Sequence, residues 1–200
     1  MIHNTLFTGL KMTLVDIMVA NNWRNDTHYE FGTDKEFNHR YCTAFYDEEF
    51  SKYRYQENLR LLEIGVHRGG GLAVFNEYFS DADIYGVDPY DFGAKRNCEQ
   101  WPRIKVIYEN AYTKEFASKL PGFDIIIDDG PHTKESHLQS LELYLPKLKS
   151  NGVFVIEDIA DMAWTEDYKK LVPEGMNYQI VDAREISGMS DSIMFVVRYD

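Results

Sequence analysis

Leu61-Leu62-Glu63-Ile64-Gly65-Val66-His67-Arg68-Gly69-Gly70-Gly71 is the stretch that decides the fold. Residues 61–64 read as a buried strand, and residues 71–79 read as a helix. The glycines between them let the backbone turn tightly and approach a ligand closely. Working outward, the same strand, loop and helix unit recurs. Further strands are expected at 84–87, 104–107, 123–127 and 153–156, with helices at 95–101, 113–120 and 134–148. The last of these helices carries Leu138, Leu141, Leu145 and Leu148 on one face. Such alternation argues for a parallel sheet covered by helices on both faces.

The two ends depart from the repeat. Near the start, Phe7, Leu10, Leu14, Ile17 and Met18 recur at helical spacing, so residues 6–20 are expected to form an amphipathic helix. A polar stretch, 21–40, and a second helix, 43–53, follow. At the other end, strands 178–182 and 193–199 are joined by Ser187-Gly188-Met189-Ser190-Asp191. That separation is short for a parallel crossover, so the pair is expected to be antiparallel. The expected fold is α/β, with a mostly parallel seven-stranded sheet, an antiparallel last strand and N-terminal helices. Residues 1–200 read as a single domain, with 1–58 a helical cap or lid and 59–200 the core.

Composition narrows the function classes. A net charge of −12 argues against nucleic acid and anionic membranes as partners. No apolar run approaches the ~18 residues of a spanning helix. Met1-Ile2-His3-Asn4 lacks the basic region of a signal peptide. Cys42 and Cys98 imply no disulfide framework and read as small buried hydrophobes. A cytoplasmic protein is the expectation.

The chemistry lies at the strand ends. Ile127-Asp128-Asp129-Gly130-Pro131-His132 follows one strand, and Glu157-Asp158 follows the next, 25 residues beyond the histidine. Ligands of open parallel sheets bind at the carboxyl ends of strands. Asp129, His132, Glu157 and Asp158 are therefore expected at one spot. Crowded carboxylates repel one another unless a cation sits among them. A hard divalent ion prefers oxygen ligands of this kind, and histidine is a proton acceptor near neutral pH. Together they make the skeleton of a metal-assisted reaction on a hydroxyl group.

The glycine-rich turn adds a cofactor. Asp88 ends the second strand, 23 residues after Gly65, where an acid can hold both ribose hydroxyls of a nucleoside. A dinucleotide fingerprint reads G-x-G-x-x-G. Here the glycines fall at Gly65, Gly69, Gly70 and Gly71, with Glu63 two residues ahead of the first. An acid at that point suits a cationic ligand better than a pyrophosphate. S-adenosylmethionine, with a sulfonium, an ammonium and no phosphate, fits this turn. Asn110 falls where the adenine edge is expected, either as a base contact or as a turn-forming residue. Tyr90 and Phe92 are placed to pack on the base or on the rim, and His67 reads as a solvated loop residue.

Tyr29-Glu30-Phe31-Gly32-Thr33-Asp34-Lys35, His39, Tyr41 and Tyr46 resemble the opening of metal-dependent bacterial sugar O-methyltransferases. That group includes the mycinamicin-type macrolide 2''-O-methyltransferases, the so-called cephalosporin hydroxylase family and the rhamnosyl O-methyltransferases. The resemblance continues through 62–71, 84–88, 123–132 and 152–159. It implies a Rossmann-like class I methyltransferase fold. It implies that Asp129, Glu157 and Asp158 hold Mg²⁺, or another hard cation such as Mn²⁺, and that His132 is the general base, with Asp129 beside it in the catalytic centre. The expected cofactor contacts are Glu63, Gly65, Gly69, Gly71, Asp88, Asn110, Asp128, Thr33 and Lys35. Asp128 either points toward the cofactor or supports the turn. Asp34, Lys35 and His39 are expected to form a lid, and Trp164 to line the acceptor pocket.

The acceptor implied is a small molecule, a sugar or glycoside offering a hydroxyl of a vicinal diol. A catechol-like phenol is the second possibility and a non-catalytic S-adenosylmethionine-binding subunit the third. The family often forms homo-oligomers, and the sequence leaves this chain's assembly open. Pro131 stands where the family usually has Ser, and Asn110 where an acid is usual. The region after Asp158 is short and lacks the large insertions of the macrolide enzymes.

Overall fold

The computed structural model describes residues 12–24 and 31–199. Helix α1, Leu14–Asn21, opens the described chain. The helix expected over 6–20 is capped at Thr13, so it begins at Leu14: the Thr13 hydroxyl accepts from the Asp16 amide, and the Asp16 carboxylate accepts from the Thr13 amide. Phe7 and Leu10 of the expected longer helix lie outside the described residues, as do Tyr29 and Glu30. The expected helix 43–53 is a π-helical turn, Cys42–Tyr46, running into α2, Asp47–Ser51.

The alternating units then follow. They are β1 Leu59–Ile64, α3 Gly70–Tyr78, β2 Ala82–Asp88, α4 Ala94–Asn97, β3 Ile104–Tyr108, α5 Lys114–Lys119, β4 Phe123–Asp128, α6 Lys134–Tyr144 and β5 Leu148–Ile156. A short helix, α7 Thr165–Tyr168, precedes β6 Met176–Asp182, α8 Arg184–Ser187 and β7 Ile193–Tyr199. The sheet order is β3-β2-β1-β4-β5-β7-β6, and only the pairings of β7 are antiparallel. The order reverses between β1 and β4, which opens a crevice at their carboxyl ends.

Two apolar layers sandwich the sheet, and side-chain alternation assigns each residue to one of them. Leu61, Ile125, Ile127, Val153 and Val155 face the layer built with α1, α2 and α3. Leu62, Ile64, Ile126, Phe154 and Ile156 face the layer built with α5 and α6. In the first layer Phe50 meets both Phe75 and Phe79 at 5.8 Å between ring centres. Each such buried ring is worth roughly 2–3 kcal/mol, which fastens the N-terminal segment to α3.

The helix expected over 134–148 ends earlier, because Leu148 already belongs to β5 and Pro146 sits in the connecting turn. Its buried face also holds polar residues. Ser136, His137, Ser140, Leu141 and Tyr144 turn inward, while Leu138 is only half-buried. Leu141, Leu145 and Leu148 of the expected stripe are buried in the layer built with α5 and α6, with a polar seam of Ser136, His137 and Ser140 beside them. Among the described residues no helix is long and apolar enough to cross a membrane.

Candidate active site

A cleft of about 740 Å³ opens at the switch point between β1 and β4. One bank is the glycine-rich turn. Gly65 has φ +80°, and a Cβ there would lie 1.9 Å from the Asp129 carbonyl oxygen. Glycine is therefore what lets the turn after β1 touch the turn after β4. At Gly70 a Cβ would lie 1.6 Å from the Gly32 carbonyl oxygen, so the N-terminal loop presses onto the same turn. Gly71 lines the cleft opposite Glu63, whereas Gly69 lies outside the wall, against Cys98. Of the expected contacts, Thr33, Lys35, Glu63, Gly65, Gly71, Asp88 and Asn110 line the cleft.

Asp88 is pinned in place. Its carboxylate accepts from the amides of Val66 at 3.2 Å, His67 at 3.0 Å and Tyr90 at 2.9 Å. The acid therefore shapes the turn while facing the cleft. The Asn110 side-chain oxygen accepts from the Tyr112 amide at 2.9 Å, which makes it a turn former in the cleft wall. Tyr90 and Phe92 are exposed on the rim. His67 is half-buried in the wall, its ring 4.8 Å from that of Phe92, rather than a solvated loop residue.

The other bank carries the acids. The ladder continues past the strands: Asp129 N–H donates to Ile64 O at 2.8 Å, and Glu157 N–H to Asp128 O at 2.9 Å. Continued alternation places Glu63, Asp129 and Glu157 on the face of the N-terminal segment. Lys35 enters there, 2% exposed. Its ammonium donates to Asp129 Oδ2 at 2.7 Å, lies 3.2 Å from Glu63 Oε1, and bonds Glu157 Oε2. Burial works against that charge, but Asp129, Glu157 and Glu63 outweigh it and hold Lys35 well above the ordinary lysine range. Burial pushes the Glu63 carboxyl up to about 7, with Lys35 opposing.

Tyr46 donates its hydroxyl to Glu157 Oε1. Tyr41 donates to Asp158 Oδ1 at 2.6 Å and accepts from the Asp158 amide at 3.2 Å. His39 Nδ1 lies 3.3 Å from Asp158 Oδ1 and 3.1 Å from the Ser192 hydroxyl. Burial, then Asp129, push the Asp158 carboxyl up to about 6. The whole acid cluster is thus held by one segment, residues 35–46. Spacing alone gave no sign of these hydroxyl contacts, and no regular period links the two regions.

His132 and Asp158 both adopt φ +55°, a left-handed conformation costly for non-glycine residues and concentrated at functional sites. Asp129, His132 and Asp158 each offer one ligand atom, all within 4.8 Å of one another. The expected metal acids were Asp129, Glu157 and Asp158. Asp129 and Asp158 lie together with His132, while both Glu157 oxygens meet Lys35 and Tyr46. Three carboxylates, Glu63, Asp129 and Glu157, surround one ammonium here, and a fourth, Asp158, lies beside them against His39 and His132. That excess of negative charge and the oxygen-rich donors fit a divalent cation.

Asp128 does not line the cleft. It is fully buried on the α6 face and accepts from the Tyr112 hydroxyl at 2.6 Å, which itself lines the cleft. Adjacent residues at a strand end point to opposite faces, so Asp128 supports the turn rather than touching an occupant. Burial pushes its carboxyl up to about 6. Trp164 also lies outside the wall, packed 6.3 Å from His137.

Residues 62–159 match a family model described as a methyltransferase domain. The chain is 31% identical over 150 residues to demethylmacrocin O-methyltransferase of Streptomyces fradiae, covering 70% of this chain and 37% of that protein. It is 33% identical over 133 residues to mycinamicin VI 2''-O-methyltransferase of Micromonospora griseorubida, covering 61% of this chain and 32% of that one. The chain therefore spans about a third of the length of these curated relatives. Among solved structures it is similar to the MycE methyltransferase from the mycinamycin biosynthetic pathway in complex with Mg and SAH. That match has a TM-score of 0.62 and 29% identity, and covers 90% of this chain and 43% of that one.

Proposed function

Residues 62–159 belong to the methyltransferase-domain family, and from that premise we propose that this chain is an S-adenosylmethionine- and Mg²⁺-dependent O-methyltransferase acting on a sugar hydroxyl of a glycosylated small molecule. One observation carries the reading: a single cleft is lined by Glu63 and Asp88 on one bank and by Asp129, His132 and Asp158 on the other. When bound, S-adenosylmethionine supplies a methyl group on a sulfonium and leaves as its demethylated thioether, and the divalent ion supplies Lewis acidity to the acceptor hydroxyl.

This chain's own groups do the rest. Glu63 and the turn it closes receive the cationic end of the cofactor, and Asp88 receives its ribose. Asp129 and Asp158 would hold the ion, with Glu157 behind them, fixed by Lys35 and Tyr46. His132, 38% exposed at its side chain, is the most exposed member of the cluster, so its Nε2 takes the hydroxyl proton. Bringing the acceptor oxygen into line with the methyl carbon supplies much of the acceleration. The N-terminal segment 1–58 acts as a cap, and of its residues Thr33, Asp34 and Lys35 line the cleft.

A sugar acceptor rests on the relatives, whose names describe demethylmacrocin and mycinamicin VI methylation. The test is release of S-adenosylhomocysteine from a panel of glycosides and catechols, with Mg²⁺ and with EDTA. Metal-dependent turnover of a glycoside is expected. Turnover of catechols alone would shift the acceptor, and turnover undiminished by EDTA would remove the metal.

A further inference from the structure

We infer that Lys35 is a tethered counter-cation that holds the metal-free acid cluster together and weakens its grip on the divalent ion. This inference rests on the metal site proposed above and goes beyond it. Lysine has three N–H donors. Here they meet three carboxylates from three different elements: Glu63 of β1, Asp129 after β4 and Glu157 after β5. The ammonium is therefore saturated, and almost no water reaches it, since its side chain is 3% exposed.

Asp129 is the shared member. Its Oδ2 accepts from Lys35, while its Oδ1 faces His132 and the cleft. Any cation placed between Asp129 and Asp158 consequently shares a carboxylate with the ammonium. Like charges sharing a ligand repel, so Lys35 opposes the metal while it cancels part of the charge that attracts it. Without Lys35, Glu63 and Glu157 would be buried with no positive partner, at 2% and 1% exposure. Such groups strongly favour a cation from solution. Lys35 also joins the two banks, because Glu63 belongs to the cofactor side and Asp129 to the metal side. It is a positioning residue, not one that touches the reacting atoms.

The test is titration of Mn²⁺ into the metal-free wild-type chain and the Lys35→Met variant by calorimetry, with thermal unfolding of both in EDTA and in saturating Mn²⁺. The variant is expected to bind Mn²⁺ about tenfold more tightly or better. It is also expected to melt lower than wild type in EDTA and to recover more of its melting temperature on adding the metal. A folded variant with unchanged or weaker Mn²⁺ affinity overturns the inference while leaving the metal site intact. A wild-type chain that binds no Mn²⁺ overturns the metal reading itself. Should the variant not fold in either buffer, ¹⁵N spectra of the wild-type lysine side chains decide. A protected ammonium signal that shifts on adding Mg²⁺ supports the role, and the absence of any such signal overturns it.

Discussion

On the face covered by α1 and α3, the carboxylates of Glu63, Asp129 and Glu157 share the Lys35 ammonium. On the face covered by α6, the Asp128 carboxylate accepts a neutral hydroxyl from Tyr112, with the His137–Tyr168 pair nearby at 2.8 Å. Both faces bury acids at strand ends, yet only the first crowds several carboxylates together. Burial alone raises a carboxyl pKa, so a lone acid such as Asp128 can be accommodated by neutral donors. A crowd of acids cannot, and needs cations, one tethered and one from solution. The charged face is the one that opens into the cleft, and the neutral face is the scaffold behind it.

The sharpest way to break this comparison is to change neighbours on opposite faces. Asp129→Asn is expected to lower methyl transfer at least about hundredfold, through loss of a metal acid. Asp128→Asn, one residue earlier, is expected to stay within about tenfold. Equal losses, measured as S-adenosylhomocysteine release, would erase the distinction. Next comes Gly65→Ala, where the new Cβ meets a backbone carbonyl at φ +80°. It is expected to destabilise by about 3 kcal/mol or more through strain and displaced backbone, read in urea unfolding.

Paired stability measurements sharpen the contrast. Glu157→Gln weakens a buried ionic network and is expected to cost about 3 kcal/mol. Tyr112→Phe removes a hydroxyl from Asp128 and is expected to cost about 1–2 kcal/mol. The reverse ranking would mean that the neutral face carries the heavier electrostatic load.

The two faces also differ in pH dependence. Burial lowers the His137 pKa to about 4. The unfolded imidazole takes its proton near 6.5, so stability is lost as pH falls from there toward 4. Burial raises Glu63 to about 7. The native chain then takes that proton before the unfolded one does, and stability is gained as pH falls from 7 toward the ordinary glutamate range. In metal-free denaturation series, His137→Gln is expected to remove the loss and Glu63→Gln the gain. Parallel profiles for both variants would contradict this sign difference.

The repeating units and the antiparallel tail were legible because buried parallel strands are continuous apolar runs, and glycine turns punctuate them. The meeting of Asp129, His132 and Asp158 was legible from their position after adjacent strands. One feature was not. The N-terminal partners Lys35, His39, Tyr41 and Tyr46 reach Asp129, Glu157 and Asp158 across more than 90 positions in the chain, and no periodicity records such contacts. Asp128 was legible in principle, since alternation sends it to the face opposite Asp129. The leucine stripe marked the buried side correctly, but helical period does not report the polar seam of Ser136, His137 and Ser140 that shares it.

The most direct measurement is calorimetric titration of the purified chain with S-adenosylmethionine in Mg²⁺ buffer. The account predicts saturable micromolar binding at one site per chain, weakened by Glu63→Gln and by Asp88→Asn. Absence of binding to the wild-type chain would contradict the assignment of the cleft to a methyl donor.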